Sequence, residues 1–165
     1  RRGGEVASEP NRIRAAETLS KKINELIITI GSPNIIIVGD FNDEPNNNSL
    51  DKVLSANLVD CELEKDFKMD QLYNLSYKTF NEGNGSYLYQ ENWNMLDQII
   101  VSGAMLKSAK IEYKCDSFKI LKPNFIQTWS GKYKGAAFPT YGGTRFLGGY
   151  SDHYPVGAIF KIFIN

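Results

Sequence analysis

The chain has 165 residues, of which 42% are apolar and 23% are charged, and this is the composition of a globular protein that can bury a core. Nineteen Lys and Arg residues balance nineteen Asp and Glu residues, so the formal net charge is zero. This balance argues against tight, sequence-independent binding of long nucleic acid, which needs many Lys and Arg contacts to phosphate. No apolar run approaches the length of a membrane span, and we expect no transmembrane segment.

The first predicted element is an amphipathic helix. Ser8 is a candidate N-cap, Pro10 suits the first turn, and Gly31 is expected to end the helix. Its apolar residues recur at steps of three and four along one face: Ala16, Leu19, Ile23, Ile27 and Ile30. The β-branched run 35–38 follows and is typical of a strand covered on both faces. A helix, a short breaker and such a strand predict an α/β layer architecture.

The later elements are less strongly patterned. Residues 46–49 predict a loop that leads into a short helix, with Leu50, Val53 and Leu54 as its apolar side. Residues 60–85 are expected to be mostly loop, and the Gly-, Tyr- and Phe-rich residues 128–150 to be a long surface loop. Further strands are predicted at 86–90, 95–101, 111–113, 118–121 and 156–164. No internal repeat or linker divides the chain into separate domains.

The two cysteines, Cys61 and Cys115, form no CxxC pair and are too few for a disulfide scaffold. One disulfide, in an exported protein, and two buried thiols are equally compatible with this count. Since the chain contains a single histidine, a structural zinc site is not expected, and any metal would be held by oxygen ligands.

The motif GDFNDEP, residues 39–45, directly follows the predicted strand 35–38. Ligand sites in open α/β sheets lie at the carboxyl ends of strands, and the side chains of Asp40 and Asn42 are two residues apart on an extended backbone. The alternative is a strand-to-loop turn, in which Asp and Asn are common. A calcium loop of the EF-hand type is a poorer match, because its sixth position is Pro45 and its twelfth is Asp51.

The motif MLDQIIVSG, residues 95–103, places Asp97 on the same strand face as Met95, Ile99 and Val101. A carboxylate on an apolar face needs a hydrogen-bonding or cationic partner. A solvated strand end or a backbone N–H would also satisfy this requirement.

His153, in GGYSDHYPV, is the only histidine of the chain. A lone histidine is usually structural or exposed, but Asp97 needs a partner and His153 is the only imidazole that can provide one. A carboxylate on one ring nitrogen leaves the other nitrogen for an anionic substrate, and Asp152 adds an oxygen ligand beside it. No GxSxG motif or phosphate-binding P-loop is present. These side chains suit metal-assisted attack of water on phosphorus.

Three motifs in this order, GDFND, LDQIIVS and GGYSDHYPV, resemble the endonuclease/exonuclease/phosphatase superfamily. The segments RRGGEVASEPNRIRAA and FPTYGG are similar to a bacterial subgroup of it, so that the resemblance covers nearly the whole chain. It implies a metal-dependent phosphoesterase with a DNase I-like α/β fold, an α+β four-layer sandwich of two facing sheets with helices outside.

The resemblance also implies roles for five residues. Asp40 would orient or deprotonate the attacking water, and Asn42 would bind the scissile phosphate. His153 would contact the phosphate or act as acid or base, with Asp97 as its partner. Asp152 and Asp40 would lie at the metal, Mg²⁺ or Mn²⁺.

This chain, residues 1–165, resembles only the C-terminal half of such a domain. The N-terminal half supplies the main glutamate ligand of the metal, a further phosphate-binding asparagine and a histidine ahead of the double arginine. We therefore expect the chain alone to be inactive or nearly so, and to expose apolar sheet surface unless the N-terminal half pairs with it. Neutral charge does not favour long nucleic acid as the phosphorylated substrate. The expected location is outside the bacterial cytoplasm, in the periplasm or as a surface lipoprotein.

A non-catalytic binding module on the same fold is the competing hypothesis. It would use the loop 128–150 to grip a partner or a glycan through aromatic rings. Its candidate contacts are Trp93, Trp129, Phe138 and Tyr141. The two hypotheses differ in one distance, because a binding module does not require the Asp97 carboxylate to lie near the His153 ring.

Overall fold

The computed structural model describes residues 4–62, 67–108 and 110–164. This part of the chain forms two α-helices and twelve short strands, which confirms the predicted α/β class. The helices are α1 (Glu5–Ile30) and α2 (Tyr77–Asn81). The strands are β1 (Ile36–Asp40), β2 (Asn57–Leu58), β3 (Leu72–Asn74), β4 (Tyr87–Tyr89), β5 (Asn92–Asn94), β6 (Asp97–Ser102), β7 (Ile111–Tyr113), β8 (Lys119–Ile120), β9 (Tyr141–Gly142), β10 (Arg145–Phe146), β11 (Val156–Gly157) and β12 (Phe160–Ile162).

Helix α1 begins earlier than the sequence predicts. The Ser8 hydroxyl donates to the Gly4 carbonyl at 2.7 Å, inside the helix, so the prediction of Ser8 as N-cap was wrong. Pro10 lies within the helix. The predicted end is confirmed, since Gly31 has a φ of 87° and its N–H donates to the Ile27 carbonyl at 2.7 Å.

The main sheet has the strand order β1-β6-β3-β2. β6 is antiparallel to both of its neighbours, and β2 is parallel to β3. The three residues of β3 are buried, although they lie in the segment predicted as loop. The loop prediction was wrong here because β3 is very short and its pairing with β6 is non-local. The short helix predicted after residue 49 is a single π-helical turn, Ser49–Val53.

One face of the main sheet packs against α1. Ala16 and Ile23 of the helix meet Ile100 of β6, with Ile37 of β1 at the margin. The opposite face carries Ile99 and Val101, which pack with Tyr113 of β7 and with Phe118. We call this second surface the inner face. The hydrophobic core therefore packs on both faces of the central strand β6. This packing fixes the position of Asp97, the first residue of β6.

Strand β1 also contributes side chains to the inner face, but no described residue of the hydrophobic core packs over them. Ile36 pairs with Val101 and Val38 pairs with Ile99, so all four side chains share this face. Ile36 and Val38 are nevertheless 46% and 64% exposed. The prediction that this strand is covered on both faces was wrong, since among the described residues β1 is an edge strand and α1 packs on one side of it.

The C-terminal segment was predicted to form one continuous strand, residues 156–164. It forms two strands, β11 and β12. β11 pairs with β8 and β12 pairs with β7, so the chain changes partner between them. At the change, the Ile159 N–H donates to the Ser117 hydroxyl at 3.0 Å instead of to a strand neighbour. The predicted strands near 111–113 and 118–121 are confirmed as β7 and β8.

The predicted strands 86–90 and 95–101 are confirmed as β4 and β6, and two hairpins add to the predicted elements. β4 pairs with β5 across a turn in which Gln90 and Glu91 have φ of 48° and 70°, and β5 is a strand that the sequence did not predict. Residues 128–150 are mostly turns, as predicted, but also contain the hairpin β9–β10.

Cys61 and Cys115 form a disulfide with a Cα–Cα distance of 6.1 Å. Of the two states left open by the sequence, the structure therefore shows the cross-linked one. A cross-link between residues 54 positions apart contributes about 2–4 kcal/mol of stability by restricting the unfolded chain. Among the described residues, no helix combines the length and the apolar character that crossing a membrane requires.

Candidate active site

A cavity of about 610 Å³ opens where β1 and the loop before β11 meet. Four of the five residues predicted from sequence line it: Asp40, Asn42, Asp152 and His153. The fifth, Asp97, contacts the His153 ring and lines a second cavity of about 420 Å³, which His153 also lines. The structure thus brings all three sequence motifs together.

The contact between Asp97 and His153 organises this cavity. Asp97 Oδ2 lies 2.7 Å from His153 Nδ1, and each side chain is 20% exposed. The same carboxylate oxygen accepts a hydrogen bond of 2.5 Å from the Ser86 hydroxyl, which in turn accepts the Asp97 N–H at 3.1 Å. The contact predicted from the apolar face of β6 is therefore confirmed. Because Nδ1 is engaged by Asp97, Nε2 is the ring nitrogen left for a substrate.

The surroundings of His153 favour its charged form. Burial lowers its pKa, but the hydrogen bond and charge of Asp97, with the charges of Asp40 and Asp152, outweigh burial and raise the pKa above the ordinary 6.5. The carboxylates stabilise the imidazolium, so the protonated ring, which can donate a proton, persists to higher pH than in an unperturbed histidine.

This shift is directly measurable because the chain has one histidine and therefore one imidazole C2–H resonance. In a proton NMR titration we expect a midpoint above 6.5, and Asp97→Asn should move the midpoint to lower pH. Asp116→Asn, which changes an exposed carboxylate paired with Lys78, is the control and should leave the midpoint unchanged. A midpoint that ignores Asp97→Asn would contradict the pairing.

The sign of the linked effect on stability follows from the same shift. Since folding raises the pKa of His153, the contribution of the pair to the free energy of unfolding is fully present below about pH 6.5. It is lost as the pH rises through the pKa of the folded state.

Asp40 and Asn42 are positioned by the turn that ends β1. Asp40 lies opposite Asp97 in the β1–β6 register. Its Oδ1 accepts the Asn42 N–H at 2.8 Å, and its Oδ2 accepts Asn42 Nδ2–H at 3.1 Å. Asn42 has a φ of 53°, a left-handed conformation that asparagine tolerates better than most residues. The turn alternative from the sequence is thus also correct, because the turn and the cavity wall are made by the same two residues.

Buried polar contacts hold this loop against the rest of the fold. Asp43 Oδ2 lies 2.7 Å from Arg12 Nε of α1 and accepts the Ser49 hydroxyl at 2.6 Å. Gln98, next to Asp97 on β6, donates to the Asp43 carbonyl at 2.6 Å and accepts from Asn74 of β3. The segment that carries Asp40 and Asn42 is therefore anchored to both the helix and the sheet.

Sequence reasoning missed two residues of the site, Ser86 and Tyr87. Ser86 positions Asp97, as described above, and is fully buried. Tyr87 forms a β-bridge with His153, and the two rings stack with centroids 4.5 Å apart and planes inclined by 22°. Both residues lie in the predicted strand 86–90. The strand pattern was the only sequence signal for them, and a strand pattern does not show which distant residues a side chain contacts.

The family model for the endonuclease/exonuclease/phosphatase family matches residues 1–162. The chain belongs to this family. Neither the curated proteins nor the solved structures contain a match to the chain. Membership agrees with the mixed α/β fold and with the site, since the family consists of hydrolases that generally act on phosphodiester bonds. The four-layer arrangement stays a prediction.

The family typically depends on a divalent metal, and the side chains at the cavity have the chemistry to bind such an ion. Glu5, Asp40 and Asp152 line the cavity, and none of the lining residues that the structure describes is Lys or Arg. Oxygen donors in excess of positive charge suit a hard cation such as Mg²⁺, which keeps several waters and needs only one or two carboxylates. The described residues nevertheless contain no group of three or more His, Cys, Asp or Glu side chains arranged to hold a metal by themselves.

The two competing interpretations find less support. Asp51, the twelfth position of the calcium-loop alternative, pairs instead with Lys52 at 2.5 Å. Of the aromatic residues assigned to a binding module, Trp93 lies under the Lys122 ammonium at 4.0 Å and stacks on the buried Tyr154 ring. The 2.7 Å contact of Asp97 with His153 is the distance that the binding module did not require.

Proposed function

We propose that this chain carries the catalytic side chains of a metal-dependent phosphoesterase that hydrolyses phosphodiester or phosphomonoester bonds by attack of an activated water. The observation that supports this most is the 2.7 Å contact between Asp97 and His153 on the wall of the cavity that holds Asp40 and Asn42. An oriented imidazolium beside an amide and a carboxylate suits hydrolysis at phosphorus.

The proposed roles follow from hydrogen-bonding capacity. The His153 imidazolium donates from Nε2 to a phosphoryl or leaving-group oxygen, while Asp97 holds Nδ1–H and offsets the positive charge. Asn42 Nδ2–H, now on Asp40, donates to a phosphoryl oxygen. Asp40, released from that contact, orients the water or accepts its proton.

Mg²⁺ or Mn²⁺, when bound, would neutralise charge on the phosphoryl oxygens, and Asp40 and Asp152 are the residues proposed to hold it. Both carboxylates line the same cavity. The net negative charge of the lining would otherwise repel an anionic ester, which is the physical reason for a cation here.

We propose further that the site is completed by the N-terminal half of the same domain, which would bring the main glutamate ligand. The exposed Ile36 and Val38 on the inner face support this, because apolar side chains on a sheet face are normally covered. Residues 1–165 would then be the C-terminal portion of one domain and nearly inactive alone.

Location outside the bacterial cytoplasm is also a proposal. The Cys61–Cys115 disulfide supports it, since such bonds persist in oxidising compartments and are rare in the cytosol.

The proposed function is tested with the full-length polypeptide that contains these residues, assayed on p-nitrophenyl phosphodiesters and monoesters with Mg²⁺ and with EDTA. We expect turnover that requires the metal and falls on Asn42→Gly, which removes the amide but tolerates the left-handed backbone. The absence of metal-dependent turnover on both ester classes would sink the proposal.

A further inference from the structure

We propose that Tyr87 and Tyr89 form an aromatic subsite that selects a nucleoside ester, with Tyr89 stacking on the base. This inference rests on the proposed function, because it names the group attached to the phosphate at the same site. None of the roles assigned so far uses these two tyrosines beyond the stack of Tyr87 on His153.

The rings form a series that leads away from His153. Tyr87 stacks on the imidazole at 4.5 Å, and Tyr89 follows with its centroid 6.2 Å from Tyr87 and its plane inclined by only 14°. The two tyrosines are two residues apart on β4 and therefore project to the same side of the strand. Both line the cavity that contains Asp40, Asn42 and His153.

Tyr89 is the ring in this series that is free to receive a ligand. It is 55% exposed, whereas Tyr87 is partly enclosed between its two neighbours. The exposed face of the Tyr89 ring is flat and apolar, so contact with water stabilises it little. A second flat group that stacks on this face would be stabilised, since stacking of a base on an aromatic side chain is a favourable and sequence-tolerant contact.

The geometry matches the order of groups in a nucleotide. With the phosphate at His153, the sugar would lie over Tyr87 and the base over Tyr89. A cavity of about 610 Å³ is of the size that holds a small-molecule ligand. Its wall also carries Asn94, whose amide can bond the polar edge of a base.

The charge distribution limits the ligand to a short one. Carboxylates line this cavity, and zero net charge provides no excess of Lys and Arg to follow a long phosphate backbone. An acyl chain is not favoured, because the carboxylates and amides of the lining interrupt any continuous apolar wall. A single nucleoside ester or the unpaired end of a strand fits these conditions.

The first test measures binding by the chain itself in the presence of Mg²⁺, with AMP and ribose 5-phosphate as probes that differ only in the base. In a titration followed by the His153 C2–H resonance, AMP should bind about tenfold more tightly than ribose 5-phosphate. Tyr89→Ala should remove this preference, and Tyr89→Phe should keep it. Trp129→Ala, which removes an exposed aromatic ring that does not line this cavity, should change nothing.

Equal affinities for the two probes, binding of neither, or equal weakening of both by Tyr89→Ala would overturn the subsite. The second test separates this failure from failure of the proposed function. The full-length protein is assayed on thymidine 5′-p-nitrophenyl phosphate and on ethyl p-nitrophenyl phosphate. Turnover of both without preference refutes the subsite alone. Base-selective binding without turnover of either ester supports the subsite and refutes the phosphoesterase proposal.

Discussion

Asp97→Asn is expected to lower the turnover of the full-length protein by about 10²–10⁴-fold, the range that a positioned acid–base group contributes. Asparagine fills the same space but supplies no charge, so the His153 imidazolium loses the partner 2.7 Å away that raises its pKa. His153→Ala, which removes the group itself, should cause a loss at least as large. The measurement is kcat on a p-nitrophenyl ester at saturating Mg²⁺.

The pH profile distinguishes this role from a merely structural one. If protonated His153 is the acid, activity falls as the pH rises through its pKa, and Asp97→Asn should move this fall to lower pH. Asp116→Asn is the matched control, since that carboxylate is exposed and pairs with Lys78. Undiminished turnover in His153→Ala would contradict the assigned chemistry.

Arg12→Ala is expected to destabilise the chain by about 3–5 kcal/mol. Its guanidinium lies 2.7 Å from Asp43, whose side chain is only 1% exposed, and its removal leaves a carboxylate buried without a countercharge. The free energy of unfolding in urea, followed by circular dichroism, measures the effect. The loss should exceed that of most surface substitutions because the charge cannot reach water.

Two variants test this explanation. Arg14→Ala changes an exposed arginine on the same helix and should cost less than about 0.5 kcal/mol. Adding Asp43→Ala to Arg12→Ala should recover part of the lost stability, since no unpaired charge then remains. A double variant that is less stable than Arg12→Ala by the full cost of Asp43→Ala would show that the two residues act independently.

The part of the candidate site that the sequence predicted depends on a charged side chain that lies on an otherwise apolar strand face. Asp97 interrupts an apolar face, which required a partner, and a chain with one histidine offered a single imidazole for it. Asn42 and Asp152 were singled out by their places beside Asp40 and His153 in the motifs, and the resemblance added roles for them. The structure places both on the wall of the cavity beside His153. Their catalytic roles remain predictions.

The features that sequence reasoning missed depend on distant pairing. Ser86 and Tyr87 acquire their positions because β4 lies against His153, and a single sequence does not show that contact. β3 was missed for the same reason: its Asn74 looked like a loop residue, yet its amide is satisfied by Gln98 of β6. Helix α1 was predicted well because its periodicity is local, and only its first turn was misplaced.

The rim of the main sheet has a consequence for handling this polypeptide in solution. Among the described residues β1 pairs with one strand, β6, so the backbone N–H and C=O groups on its other edge pair with no strand. The exposed apolar side chains of Ile36 and Val38 lie on the same strand. Such a rim is a template for strand addition by another molecule. We therefore expect this polypeptide to self-associate at high concentration, and Val38→Lys to reduce that association by placing a charge on the edge strand.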